Sequence, residues 1–209
     1  SSDLYSSGRQ DFCFTGDYTE RGIKGRHGFM SELAVEDERF LHRVPAALRE
    51  VAVLLEPLTI AEKALSQVED IQRRMPWIDR SAPGGHRARA AVLGAGPVGL
   101  LGALALLARG FDTWVYSRES PDGPKARWAE SVAAHYVSSA VTRPDALAAH
   151  AGPIDLLYEA TGAASVSFEA VKALGANGVF VLTGLPGGAG TLEIEAEAIM
   201  RQQIGRAHV

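Results

Sequence analysis

Six consecutive residues, Gly94-Ala95-Gly96-Pro97-Val98-Gly99, have the composition and spacing of a phosphate-binding turn. Each glycine has its own task. Gly94 permits a tight turn, Gly96 lets the backbone approach a pyrophosphate, and Gly99 lets the following helix pack closely. Pro97 and Val98 open that helix, whose first N–H groups and positive dipole end face an anion. A glycine pattern alone is a weak signal. Its weight depends on a strand before it and a helix after it.

Three further places have residues suited to the rest of such a ligand. Ser117-Arg118-Glu119 follows the next apolar run. An acidic residue at a strand tip accepts from a ribose 2′-hydroxyl. Ser117 instead leaves room, and the guanidinium of Arg118 can pair with a 2′-phosphate. This favours NADP, with NAD possible, because Glu119 could accept ribose hydroxyls or neutralise Arg118. Thr161 and the pair Gly184-Leu185 fall at two later strand ends, where they would flank the ribose and nicotinamide. Ordinary strand-end turns would look the same.

The elements that must position these residues alternate from residue 90 onward. Short apolar runs at 90–93, 113–116, 136–137, 154–158 and 179–182 read as strands. Helical patterns at 98–109, 125–134, 145–150 and 165–174 separate them, with Trp128 and Val132 four residues apart on one face. Crossovers of this length specify an α/β fold with a doubly wound parallel sheet of the Rossmann type. In that context the glycine motif is strong.

The first part of the chain is different. Residues 1–30 are rich in Gly, Ser, Asp and Arg and read as loops with short strands. Residues 29–35 and 40–44 alternate loosely and are expected as strands ending at Pro45. Residues 45–48 open a short helix or turn, and residues 51–68 carry helical spacing with a kink at Glu56-Pro57. A Pro- and Gly-bearing linker follows at 76–89.

Composition sets outer limits. A net charge of −4 offers no general attraction to nucleic acid or anionic membranes. The longest apolar run, residues 98–107, is too short to cross a bilayer. The single cysteine, Cys13, excludes an intrachain disulfide and makes a cytoplasmic location the default. His27, His42, His86, His135 and His150 show no metal-ligand spacing and read as surface or packing residues.

The stretch Tyr18-Thr19-Glu20-Arg21-Gly22-Ile23-Lys24-Gly25-Arg26-His27-Gly28-Phe29, with Glu32 after it, resembles the zinc-dependent medium-chain glucose (aldose) 1-dehydrogenases. So do the stretch from Leu55-Glu56-Pro57-Leu58 to Ala64-Leu65 and the later Tyr158-Glu159-Ala160-Thr161-Gly162. The resemblance covers residues 8 to 200. It implies an oxidoreductase with a β-rich, chaperonin-10-like (GroES-like) catalytic domain, part of which precedes the Rossmann domain here. The implied reaction is oxidation of an aldohexose, glucose or galactose, at C1 to the lactone, with hydride passed to NAD(P). By resemblance, Glu56 is a catalytic residue that binds or stands beside a catalytic zinc, and Glu20 hydrogen-bonds the sugar. Zinc would polarise the C1 hydroxyl and lower its pKa. Read without the family, Glu56 is a carboxylate near a helix start, where it favours the dipole. The resemblance also implies a homo-oligomer.

The sequence departs from the family pattern at the structural zinc. Cys13 matches the last thiolate of that lobe, but Tyr5 and Ser2 stand where earlier thiolates would fall. One cysteine cannot supply a four-ligand site, so no structural zinc is expected. The remaining catalytic-zinc ligands are expected upstream of Ser1. At the other end, residues 203–209 continue no earlier pattern, match the translation of a common sequencing adapter and are read as a non-native tail. The expected organisation is a partial catalytic domain with a connecting helix at 1–75, a linker at 76–89, a truncated Rossmann domain at 90–202 and the tail. The sheet's sixth strand is expected to be missing, leaving an open edge and a fragment without dehydrogenase activity of its own. Two alternatives stay open: another zinc-dependent medium-chain alcohol or polyol dehydrogenase, or a non-catalytic NAD(P)-binding module.

Overall fold

The computed structural model describes residues 13, 15–75, 87–184, 191–194, 196–200 and 203–206, with 196, 198 and 203–206 described by backbone alone. The chain divides into two compact units, Ser1–Arg49 and Glu50–Val209. The second unit holds the sheet.

In the first unit, β1 (Glu20–Arg21) and β2 (Gly25–Arg26) pair in parallel register, Glu20 against Gly25. The segments 29–35 and 40–44, expected as strands, form none; a short 3-10 turn at Glu38–Phe40 lies between them. An isolated extended run has no ladder to satisfy its backbone, so alternation alone does not make a strand. Charged contacts hold the segment instead. Arg21 bonds Glu36 through Nε at 2.7 Å and through Nη2, and its guanidinium stacks on Phe29 at 4.6 Å. Those Arg21 hydrogen bonds hold the Glu36 carboxyl below the usual carboxylate range.

A 3-10 helix, Ala46–Leu54, runs directly into α1, Leu55–Gln72. The expected kink at Glu56-Pro57 is this change of helix type. Pro57 sits in the first turn of α1, where a backbone N–H has no intrahelical acceptor to lose. Ala61, Ala64, Leu65 and Val68 lie on one face of α1 and are buried in the core of the second unit. Two ion pairs reinforce that docking, Arg109 to Glu62 at 2.7 Å and to Glu69 at 2.9 Å. The helix grouped by sequence with the first domain therefore belongs to the second, and the boundary is at Arg49/Glu50 rather than at residue 75. Its small, apolar i, i+3, i+4 face is what places it there.

Among the described residues the main sheet has six parallel strands in the order β5-β4-β3-β6-β7-β8. They are β3 (Arg89–Leu93), β4 (Asp112–Ser117), β5 (His135–Ser138), β6 (Ile154–Glu159), β7 (Leu174–Leu182) and β8 (Gln203–Arg206). The helices between them are α2 (Pro97–Ala108), α3 (Pro124–Ser131), α4 (Leu147–Ala151), α5 (Ala164–Ala170) and α6 (Ala196–Met200). The chain starts at the centre, winds outward through β4 and β5, and returns to add β6 on the other side of β3. That reversal opens a crevice at the C-terminal ends of β3 and β6. Alternate strand residues face opposite layers. Ala90 and Val92 meet the α1 and α2 side, whereas Ala91 and Leu93 meet the α4 and α5 side.

Two expectations change here. The strand expected at 179–182 begins five residues earlier, at Leu174, and its register with β6 shifts between Ile154 and Leu156. The sixth strand, expected to be missing, is present as β8, which pairs Gln203 with Val179 through Arg206 with Leu182. An uncovered β7 edge offers a row of unpaired backbone groups, and a chain segment that reaches it completes the ladder.

Candidate functional site: a crevice for a dinucleotide

The glycine turn sits between the end of β3 and the start of α2. Gly94 has φ +101°, a conformation L side chains avoid, and an added Cβ would lie 2.9 Å from Thr161 Cγ2. Gly99 is held by space: a Cβ there would stand 2.0 Å from the Gly94 carbonyl oxygen. The expectation that Gly99 lets helix and strand approach is sharpened, because its closest neighbour is the turn itself. At Gly96 an added Cβ meets nothing within 4 Å, so the loop is open on that side. Pro97 is the first residue of α2, and Val98 follows it in the first turn, where N–H groups lack helical acceptors. Open space, a helix N-terminus and a close-packed turn fit a pyrophosphate.

Ser117 ends β4, half-buried, and Arg118 follows it, exposed. Arg118 makes no ion pair or hydrogen bond among the described residues. Glu119, which could have neutralised it, is engaged elsewhere: its carboxylate pairs with Lys125 Nζ at 3.2 Å and accepts from the Lys125 N–H at 3.3 Å. The tip of β4 thus presents a small hydroxyl and an uncommitted guanidinium, the combination that suits a 2′-phosphate.

On the other side of β3, the loop after β6 comes against the glycine turn; the Ala160 N–H donates to the Leu93 carbonyl at 2.9 Å. Thr161 lies in this loop, and its hydroxyl is committed. It donates to Glu159 Oε1 at 2.6 Å and accepts from the Ala163 N–H at 2.9 Å. Glu159, part of the family-resembling stretch at the end of β6, organises this rim. It is 1% exposed, and Oε1 also accepts from the N–H groups of Thr161 at 2.5 Å and Gly162 at 2.8 Å. Its Oε2 accepts from the Gly184 N–H at 3.2 Å. An acidic residue inside an otherwise apolar strand end was the available signal. Gly184 follows β7 and is tied to Glu159, while Leu185 lies outside the described residues.

The two family-derived carboxylates lie on different units of the chain. Glu20 is in β1, half-buried, in the first unit. Its backbone pairs with Lys24, through N–H to O at 2.8 Å in each direction. Glu56 is exposed in the first turn of α1, the position where a carboxylate favours the helix dipole. Among the described residues no group of three or more His, Cys, Asp or Glu could hold a metal ion. Glu56 alone among the described residues does not complete a four-coordinate zinc site, and no step is derived through the metal. Among the histidines, His135 stacks on Trp114 at 4.2 Å and bonds Asp112 at 3.1 Å, His150 bonds Thr142 at 3.2 Å, and His27 and His42 are exposed. His86 lies outside the described residues. No helix among the described residues is long and apolar enough to cross a membrane.

Known proteins share this architecture. The family model described as glucose dehydrogenase C-terminus matches residues 49–207, a range that begins at the boundary between the two units and includes β8. Glucose 1-dehydrogenase of Methanocella arvoryzae is 43% identical over 179 residues, covering 86% of this chain and 48% of that protein. Glucose 1-dehydrogenase 2 of Vulcanisaeta moutnovskia is 38% identical over 183 residues, covering 87% and 49%. The chain thus spans about half the length of the curated relatives it matches. The solved structure of Haloferax mediterranei glucose dehydrogenase in complex with NADP, Zn and gluconolactone is similar with a TM-score of 0.83 and 29% identity, over 99% of this chain and 58% of that one. With a glycine turn at the switch point of a parallel sheet and a family match over most of its length, the chain belongs to the glucose dehydrogenase family.

Proposed function

We propose that this chain supplies the NADP-binding part of an enzyme that oxidises glucose at C1 to the lactone. The observation that carries the cofactor choice is the free Arg118 beside Ser117, with Glu119 drawn away by Lys125. NADP supplies the hydride acceptor. The glycine turn and the start of α2 hold its pyrophosphate, Ser117 and Arg118 hold its 2′-phosphate, and the ends of β6 and β7 flank its nicotinamide half. The substrate choice is supported by relatives named glucose 1-dehydrogenase and by the Haloferax structure with gluconolactone.

Galactose is carried as a second hexose. Glu20 is proposed as a sugar contact, and Glu56 as a neighbour of a catalytic zinc whose other ligands the described residues do not provide. A homo-oligomer is proposed on the family resemblance. The test has two parts. Calorimetric titration of the 209-residue chain should show NADP binding tighter than NAD. In a protein extended to the relatives' length, NADP reduction should depend on glucose and on stoichiometric zinc. Equal affinity for both dinucleotides removes the NADP assignment; reduction driven by polyols but not by glucose removes the substrate.

A further inference from the structure

We infer that Glu159 is a positioning residue whose carboxylate sets the spacing between the loops after β6 and β7, and so seats the nicotinamide half of the dinucleotide. The inference rests on the NADP reading above. A carboxylate 1% exposed is costly to bury, and it is retained only where donors surround it. Here Oε1 takes the N–H groups of Thr161 and Gly162 and the Thr161 hydroxyl, all from the β6 loop. Oε2 takes the N–H of Gly184, from the β7 loop. One side chain therefore ties two loops that strand pairing alone joins only as far as the Thr183 N–H, which donates to the Glu159 carbonyl at 3.0 Å.

The tie leaves no slack. A Cβ on Gly184 would lie 2.6 Å from Glu159 Oε2 and 2.6 Å from the Gly162 nitrogen. The two loops meet in contact, with the carboxylate as the spacer. For stability alone an apolar side chain at such a place is often as good as a buried ion. A carboxylate at the C-terminal ends of adjacent parallel strands, where ligands of these sheets lie, fixes geometry instead. The donors it consumes are turned inward and are not available to a ligand, so the rim works through its shape and position.

The test separates the two halves of the ligand. Adenosine 2′,5′-bisphosphate reaches the glycine-turn and Arg118 side alone, whereas NADP also needs the β6 and β7 loops. Titration of Glu159→Gln should raise the Kd for NADP roughly tenfold, the size of one lost charge-assisted bond, and leave that for the bisphosphate within about twofold. Gly184→Ala, which presses on the tie from the other loop with Glu159 intact, should give the same split and carries the test if Glu159→Gln does not fold. Unchanged NADP binding in both variants, or parallel weakening of both ligands, overturns the inference and leaves the NADP reading standing. If the unaltered chain binds neither ligand, the NADP reading falls and the inference with it.

Discussion

The carbonyl oxygen of Gly94 occupies the place where a side chain on Gly99 would begin, 2.0 Å from an ideal Cβ. The two glycines therefore specify one another: the turn can close only because the first turn of α2 has no side chain facing it. Gly99→Ala must move backbone against backbone, which no rotamer change relieves. The expected outcome is a loss of about 1–3 kcal/mol, the usual cost of overpacking, together with loss of nucleotide binding. Urea unfolding followed by NADP titration of the folded fraction checks both. A variant with unchanged midpoint and affinity would show that the turn tolerates a wider spacing.

Arg118 should matter to cofactor choice and not to stability, because it is exposed and makes no contact among the described residues. Arg118→Ala is expected to weaken NADP binding about 10- to 100-fold, the range for a hydrogen-bonded charge, and to leave NAD binding and the unfolding midpoint unchanged. Parallel titrations with the two dinucleotides decide it; a parallel loss for both would move the 2′-phosphate contact elsewhere.

Tyr158 predicts an alkaline weakness. Its ring is fully buried, its hydroxyl has no hydrogen-bond partner among the described residues, and burial pushes the phenol up to about 12 from an ordinary 10.0. Above pH 10 the unfolded chain releases this proton while the folded chain keeps it, so stability falls as pH rises from 10 towards 12. The loss amounts to about 2–3 kcal/mol across that window, at ~1.4 kcal/mol for each pH unit. Tyr158→Phe removes this dependence and costs little at neutral pH, where the hydroxyl satisfies nothing. Denaturant melts of both proteins at pH 8, 10 and 11 should diverge; superimposable slopes would refute the assignment.

Ala133 offers a gain. Helix α3 ends in a six-to-one bond, Ala134 N–H to the Ala129 carbonyl at 2.8 Å, with Ala133 N–H to the Glu130 carbonyl at 3.0 Å. That closure requires left-handed backbone at residue 133, and Ala133 adopts φ 62° while exposed. Ala133→Gly relieves the Cβ clash without removing a packed group and should stabilise the chain by about 0.5–1 kcal/mol. Thermal unfolding of the variant measures it, and a lower midpoint would mean that the methyl packs after all.

Much of the nucleotide-binding unit was legible in the linear chain. The glycine spacing at 94–99, the apolar runs that became β3, β4 and β6, and the tip residues Ser117 and Arg118 depend on local pattern, and local pattern is a property of neighbours in sequence. The family motifs around Glu20 and Glu56 were readable too, but the structure places one in the first unit and the other in the exposed first turn of α1.

What tertiary structure alone decided is which of several possible partners each group meets. Glu119 turns to Lys125 instead of Arg118, and only that choice leaves the guanidinium free. Helix α1 joins the second unit because its small face meets α2, a partner that spacing cannot identify. The edge of β7 is covered because β8 reaches it. Glu159 ties Thr161 to Gly184 across two strands whose adjacency is a product of the sheet order. Sequence by itself determined the phosphate turn and the alternation of β3, β4 and β6 with their helices, which follow from backbone preference and periodicity, but not the segments 29–35 and 40–44, where alternation without a pairing partner made no strand. The fold decided which charges are spent and which remain for a ligand, since that depends on distances set by packing.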